Sequence, residues 1–351
     1  MNKTDAQLQP FVSVIIPVHN EGNFILRSLG ALLDQTYPKE RIEIILADGM
    51  STDKTRQLAE QMAGESTISV SFVDNVKKIA PSGLNLALGA AKGEIIVRVD
   101  GHTIVEQDYV SECVDALLRT GAANVGGKMN AVSESAVGQA IAIATSSRFG
   151  IGNARFHYSD QEEYVDTVYL GAWPKKVFDR YGFFNEELVR NQDDEFNYRL
   201  RAAGEKILLS PRIKSIYYNR SSFKSLWRQY FQYGYWKVRV LQMHPRQMSM
   251  RQFVPLIFVT SLIVTAILSL LTPFGQWAFA LVLLSYVIAN FAAAVIAGKT
   301  KITLLPMVSL SFAILHFSYG FGFLLGVFSF VGHWFTSRTG KFCRSTNKAL
   351  Y

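Results

Sequence analysis

The sequence predicts an α/β domain with a mostly parallel, Rossmann-like sheet, followed by C-terminal transmembrane helices. From Phe11 to about Thr120, short β-branched runs alternate with amphipathic stretches, the pattern of strands joined by right-handed helical crossovers. Beyond Phe253, uncharged stretches reach the roughly 20 apolar residues that a spanning helix needs. At 351 residues and 49% hydrophobic content, the chain is also more apolar than a purely soluble protein with a charged surface.

Residues 1–10 form a polar tail without the basic-then-apolar order of a signal peptide, so the domain that follows, 11–222, is expected to stay in the cytoplasm. The two cysteines, Cys113 and Cys343, lack any disulfide or metal-site spacing and agree with a reducing compartment. Candidate strands are Val12 to Pro17, Ile42 to Ala47, Ile68 to Val73 and Glu94 to Val99. The segments after Pro17, Ala47 and Val99 then fall at the carboxyl edge of the sheet, where open α/β folds bind ligands. Residues 121–219 are less periodic and are read as a continuation of the same domain.

Residues 223–252 are basic and aromatic, with Lys224, Arg228, Lys237, Arg239, Arg246 and Arg251. An ordinary solvated helix would explain them; their position just before an apolar run favours an interfacial helix against anionic headgroups. In the membrane region, 253–335, Phe253 to Leu271 and Gln276 to Gly298 read as a hairpin turning at Thr272 to Gly275. A third stretch, Leu304 to Gly332, reads as broken by Pro306, Gly320, Gly322 and Gly326. The basic residues before the first span, with Lys299 and Lys301 after the second, place both hairpin ends in the cytoplasm. A simple third span would put the basic tail, 336–351 with Arg338, Lys341, Arg344 and Lys348, outside against the same bias. That segment is therefore a span that breaks the rule, a re-entrant segment or an interfacial one. The net charge of +8 alone selects no partner; we expect membrane lipid and no nucleic acid.

Pro17, Val18, His19, Asn20 and Glu21 close the first strand and open the first helix. Free amides and a positive dipole end suit a phosphate or a polar base there, and a plain turn capped by Asn20 is the alternative. The second strand ends in Asp48, Gly49, Met50, Ser51, Thr52 and Asp53. Asp48 can accept from a ribose hydroxyl or a base N–H, whereas Asp53 reads as capping its own helix. The fourth strand runs into Asp100, Gly101 and His102, and an Asp and a His one residue apart can point at one divalent ion able to hold a diphosphate. A structural His102 is the competing reading. Asn191, Gln192, Asp193, Asp194 and Glu195 open another helix; its dipole accounts for two of the carboxylates, and Asp193 could face a cleft as a general base.

Pro-Val-His-Asn-Glu, Ala-Asp-Gly-Met-Ser-Thr-Asp, Val-Asp-Gly-His, Asn-Gln-Asp-Asp-Glu and Gln-Tyr-Gly-Tyr-Trp follow one another in an order that resembles family 2 glycosyltransferases of the GT-A fold, from about Phe11 to Trp236. The Asp-Gly-His variant, Gly171-Ala172-Trp173 and the hairpin look most like bacterial exopolysaccharide glucosyltransferases of the succinoglycan type. The resemblance implies inverting transfer of a hexose from a UDP-sugar, with Mg²⁺ or Mn²⁺, to a polyprenyl-diphosphate-linked or other envelope glycan at the bacterial cytoplasmic membrane. It implies donor contacts from Pro17, His19, Asn20, Glu21, Asp48 and Asp100, and a metal site at Asp100 and His102. It makes Asp193 the base and places Gly171, Ala172, Trp173, Asp194, Gln232 and Trp236 at the acceptor. Gln192 stands where the family often has Glu, and Gly49 and Met50 depart from its Asp-Asp-Gly-Ser pattern. Tyr235 stands where processive members have the Arg of Gln-x-x-Arg-Trp, which favours single addition over polymer synthesis.

A non-catalytic membrane protein that binds nucleotide sugars or glycans is the alternative; the joint presence of Asp48, Asp100, His102 and Asp193 argues against it. Too few spans are present for a transporter, and no G-x-G-x-x-G loop follows the first strand as a dinucleotide-dependent dehydrogenase requires.

Overall fold

A computed structural model describes residues 9–219, 221–299 and 301–332. Residues 1–8, the basic tail at 336–351 and Cys343 lie outside them. The first half runs β1 (Val12–Val18), α1 (Ile25–Leu33), β2 (Ile42–Asp48), α2 (Thr55–Gly64), β3 (Ser69–Asp74), α3 (Ala80–Ala90) and β4 (Ile95–Arg98). These are the four expected strands, parallel in the order β3-β2-β1-β4. Burial on both faces explains the apolar runs of β1, β2 and β4, while β3 lies at the sheet edge and is partly exposed. Val12, Val14 and Ile16 pack with Ile25 and Leu29 of α1 on one side, while Ile15, Ile45 and Ile96 meet Leu84 and Leu88 of α3 on the other.

The second half continues the sheet: β5 (Thr103–Val105), α4 (Tyr109–Thr120), β6 (Asn124–Val132), α5 (Ala136–Thr145), α6 (Arg148–Ile151), β7 (Glu163–Tyr164), β8 (Tyr169–Pro174), α7 (Lys176–Tyr181), α8 (Gln192–Ala202) and β9 (Ile207–Tyr218). Beyond β4 the sheet is mixed: β8 is antiparallel to β4 and β6, β9 is parallel to β6, and β5 and β7 are antiparallel to β9. The β6 strand can lie beside β9 only because Gly127 has no side chain, since a Cβ there would sit 1.7 Å from the Ile213 carbonyl oxygen.

Four long helices complete the chain: α9 (Phe223–Met243), α10 (Val254–Ser269), α11 (Pro273–Gly298) and α12 (Leu305–Ser329). Three apolar helices among the described residues, Met250–Ser269, Pro273–Gly298 and Ile302–Ser329, have the length and composition to cross a membrane. The hairpin turn sits slightly earlier than expected, because Thr272 caps α11 through the Gly275 amide at 3.0 Å and Pro273 opens the helix. The expected break in the third stretch is not there: α12 is continuous. Pro306 falls in its first turn, where a missing N–H leaves no bond unmade. Gly320, Gly322 and Gly326 are contact points, where a Cβ would lie 2.5, 2.1 and 2.6 Å from the carbonyl oxygens of Pro255, Phe231 and Tyr235. Gly234 of α9 answers them, with Tyr319 O at 2.1 Å from its Cβ position.

The α8 and α9 helices are joined by a buried carboxylate. Glu195 takes Arg199 Nη2 at 2.7 Å and faces His244 Nε2 at 2.9 Å. Burial would raise its pKa, but the His244 hydrogen bond and the Arg199 charge hold it below the usual value.

Two stability predictions follow from this packing. Gly234→Val should lower the melting temperature in detergent, by the equivalent of about 1–3 kcal/mol or more for overpacking against backbone. Gly89→Ala, in an exposed turn of α3 with nothing within 4 Å of the new methyl, should leave it equal or higher; the reverse ranking would contradict the packing. Because the Glu195 pKa is depressed by folding, its contribution is present above the ordinary Glu value of about 4.3 and is lost as pH falls through the folded value. Glu195→Gln should therefore melt lower than the parent at neutral pH, and the gap should close on acidification; a widening gap would contradict this sign.

Candidate active site

The ends of β2 and β3, the loops after them and the start of α2 form a cavity of about 590 Å³ lined by Asp48, Met50, Ser51, Thr52, Arg56, Glu60, Asp74 and Lys78. Asp48 is buried, and its Oδ1 accepts from Ser51 N and Oγ at 3.0 and 2.7 Å. Arg56 faces the cavity, donating to Glu60 and Asp74 at 2.5 and 3.0 Å. The loop after β1 is sewn to the loop after β2: Asn20 Oδ1 accepts from Thr52 N at 2.9 Å, and Ser51 Oγ accepts from Asn20 N at 3.0 Å. Asp53 takes Thr55 N and Gly22 N, both at 3.0 Å, so it does serve the start of α2. His19 and Asn20 are exposed at this rim, while Pro17 packs beneath it near Gly83 of α3.

At the end of β4 the charges are packed tightly. Arg98 is buried within the sheet, and its Nε and Nη2 reach the two Asp100 oxygens at 2.9 and 3.3 Å. Its Nη1 lies 3.9 Å from Asp193 Oδ2 and has no hydrogen-bond partner among the described residues. Burial would raise the Asp100 pKa; Arg98 first and His102 second hold it below the usual carboxylate range. His102 Nδ1 meets Glu21 Oε1 at 3.0 Å, and its ring stands 5.5 Å from that of Tyr217. No group of three or more His, Cys, Asp or Glu set to hold a metal occurs among the described residues. Asp100 and His102 nevertheless stand two positions apart after β4, an oxygen and a nitrogen donor compatible with a divalent cation that completes its shell with phosphate oxygens, though Arg98 engages both Asp100 oxygens.

Asp193 stands at the first turn of α8, where Asn191 takes a left-handed φ of 64° to turn the chain. Its side chain keeps 41% of its surface accessible although protein charges crowd it. Burial and then the neighbouring Asp194 raise its pKa, and Arg98 and Lys237 oppose them. Asp194 faces a different way: it is ion-paired to Lys237 of α9, itself 4% exposed. Burial acts to raise the Asp194 pKa as well, and Lys237 overcomes it. Two more contacts fix α9 against this turn, Arg190 Nε to Gln232 Oε1 at 3.1 Å and Asn191 Nδ2 to Tyr233 O at 3.0 Å.

Several expected acceptor residues are placed otherwise. Ala172 and Trp173 are fully enclosed, with Trp173 edge-on to Phe178, Phe184 and Phe196 in the core. Gly171, at φ 116°, leaves room for the Trp173 ring, which would lie 2.5 Å from a Cβ. These three offer no accessible side chain to an acceptor: Ala172 and Trp173 point to opposite faces of the sheet, and each face is covered by its own apolar cluster. Asp194 is committed to Lys237 in the same way. Gln232 is brought to the start of α8, whereas Trp236 packs with Tyr235 and Phe330, ring centroids 5.7 Å from each.

The sequence reading passed over Arg98 and Arg190, gave Lys237 only a place in a basic stretch, and did not pair Glu21 with His102. A usable signal was present: Arg98 interrupts an apolar strand and Lys237 an aromatic helix, and a charge in such a setting demands a buried partner. Left-handed Asn20, Met50, Lys78, Leu170 and Asn191 gather at the same loops. Such strain is retained where surrounding structure over-determines it, commonly at sites.

The comparisons with known proteins agree with this geometry. Residues 13–182 match the family model described as glycosyl transferase family 2. The succinoglycan biosynthesis protein ExoA of Rhizobium meliloti is 30% identical over 76% of this chain and 82% of its own length. A dolichyl N-acetyl-alpha-D-glucosaminyl phosphate 3-beta-D-2,3-diacetamido-2,3-dideoxy-beta-D-glucuronosyltransferase of Methanococcus voltae is 30% identical over 64% of this chain and 72% of its own. In fold, the chain matches a mannosyltransferase of Pyrobaculum calidifontis, solved in complex with GDP-Man and Mn²⁺, with a TM-score of 0.60 at 15% identity over 92% of this chain and 88% of that one. With a parallel β3-β2-β1-β4 core that carries its carboxylates at the strand ends, and a relative alike over most of both lengths, this chain belongs to the family 2 glycosyltransferases and has their GT-A type of fold.

Proposed function

We propose that the chain is an inverting, divalent-metal-dependent hexosyltransferase. It moves a hexose, glucose in our reading, from a UDP-sugar to a polyprenyl-diphosphate-linked or other envelope glycan, working from the cytoplasmic face of a bacterial membrane. The observation that carries the reading is Asp193: an accessible carboxylate with a raised pKa, across Arg98 from the Asp100 and His102 pair. A raised pKa brings a carboxylate nearer the operating pH at which a base accepts a proton efficiently.

In this mechanism the uridine occupies the cavity beside Asp48, whose position at the end of β2 suits a ribose or base contact. Asp100 and His102 would hold the cation, which would supply positive charge to the leaving diphosphate. Glu21 orients His102 through Nδ1, and Arg98 keeps Asp100 ionised. Asp193 takes the proton of the acceptor hydroxyl as that oxygen attacks the face of the sugar opposite the diphosphate, and a single displacement inverts the anomeric centre. The Arg98 guanidinium keeps Asp193 in place without closing a short ion pair on it. The dolichyl phosphate in the name of the Methanococcus voltae relative and the apolar hairpin support a lipid-linked acceptor. The GDP-mannose and Mn²⁺ of the structural neighbour support a nucleotide-sugar donor and a metal.

The direct test is transfer of label from UDP-glucose into the lipid extract of purified membranes, with and without Mn²⁺ or Mg²⁺. Asp193→Asn should lower that transfer roughly 10²–10⁴-fold while UDP-sugar binding persists; turnover equal to the parent would remove Asp193 from the role of base. His102→Ala should weaken metal-dependent donor binding roughly 10- to 100-fold in the metal concentration required. Identical binding curves across a Mn²⁺ titration would take His102 out of the site.

A further inference from the structure

Two of the three apolar helices are largely bare, and the third is not. In the most apolar stretch of each, 17% and 11% of the residues of the first two are enclosed by protein, against 44% for the third. We propose that α12 does not cross the bilayer but lies in the plane of its cytoplasmic leaflet, both ends on the side of the catalytic domain, and that the α10–α11 hairpin alone crosses. This rests on the reading above of a cytoplasmic catalytic domain anchored by that hairpin.

The geometry of α9 carries the inference. This helix lies along the catalytic domain from end to end. Asn219, just before it, donates to Gly138 O at 2.9 Å; Tyr233 O accepts from Asn191 near its middle; Arg239 pairs with Glu187 at 2.5 Å and His244 meets Glu195 at its end. The α12 helix then runs beside α9 in the same direction. Leu226 shares a cluster with Phe312 and Leu315, Gly322 meets the Phe231 backbone and Gly326 the Tyr235 backbone, and Gln242 Nε2 donates to Phe330 O at 2.9 Å. At the opposite end Lys301 Nζ, just ahead of α12, donates to Gln139 Oε1 at 2.8 Å, and the Phe149 ring stands edge-on to Phe312 at 5.0 Å.

A helix of 25 residues is about 37 Å long at 1.5 Å per residue. Standing upright, it would carry one end across the hydrocarbon and away from the domain. Instead its first end touches the domain at Gln139 and Phe149, and its last end stays on α9, whose own end is held to the domain at Glu187 and Glu195. Turning α12 upright would also draw α9, with Lys224, Arg228, Lys237 and Arg239, into hydrocarbon, where charged side chains are strongly disfavoured.

The outer face of α12 fits acyl chains. Leu310, Phe321, Leu325 and Phe328 recur at helical spacing, and all are exposed. Exposed Lys224 and Arg228 of α9, with Lys299 and Lys301 ahead of α12, supply cations for anionic headgroups. The arrangement also removes the conflict in the charge distribution. The basic residues that follow α12 in the sequence start on the cytoplasmic side, as the positive-inside bias requires.

Sided labelling of the full chain tests this. With Cys343→Ser in place and Cys113 buried, single cysteines are introduced as Leu271→Cys at the hairpin tip and Val331→Cys after α12, both at exposed positions. A membrane-impermeant maleimide is applied to intact and to permeabilised spheroplasts. Leu271→Cys should label equally in both, and Val331→Cys should lose its labelling in intact cells. Labelling of both from outside would overturn the in-plane helix and leave the hairpin standing. Protection of both would overturn the crossing hairpin and this proposal with it. A C-terminal green fluorescent protein fusion of the unsubstituted chain reads the same point without a mutation: fluorescence supports the proposal, and a membrane-inserted but dark fusion overturns it.

Discussion

Two enclosed cations, Arg98 and Lys237, tie together the carboxylates of the catalytic half of the molecule. Asp100 is paired to Arg98, Arg98 reaches toward Asp193, and Asp194, the next residue, is paired to Lys237. The charges come from three parts of the chain: Arg98 and Asp100 from the end of β4, the two aspartates from the start of α8, and Lys237 from the long helix after the sheet. Removing the partner of an enclosed cation such as Lys237 would leave a buried charge uncompensated, which costs about 3–5 kcal/mol. These pairs join the donor edge, the carboxylate proposed as base and the membrane-facing helices in one frame.

The frame explains what could be read from sequence. Strands β1, β2 and β4 are buried on both faces, so their residues are mostly apolar, and the carboxylates at the end of β2 and just after β4, Asp48 and Asp100, stand out against them. Asp193 was read differently, from the run of carboxylates that opens α8. From β5 to β9 the pairing is non-local: β6 lies beside β9, some eighty residues away, on condition that Gly126 and Gly127 bring backbones close, and β7 has two residues. No periodicity announces such pairs. Trp173 was placed at the acceptor by resemblance alone, and nothing in its sequence neighbourhood announces that its ring sits in the core among Phe178, Phe184 and Phe196.

Partnerships across long separations were likewise invisible. Lys237 and Asp194 lie 43 positions apart, and His102 and Glu21 lie 81 apart. The basic stretch after residue 222 looked uniformly superficial, yet one of its lysines is the most enclosed cation on α9. Its neighbour Gly234 is the point where α9 and α12 meet backbone to backbone. One helix, α9, thus meets both the apolar helix α12 at Gly234 and the start of α8 at Lys237.

The measurement that bears most directly on the proposed mechanism is the anomeric configuration of the product, read by proton NMR after transfer from an α-configured UDP-hexose. One carboxylate base acting opposite the leaving diphosphate yields a β-linked product. An α-linkage would require a different chemistry and would contradict the role given to Asp193.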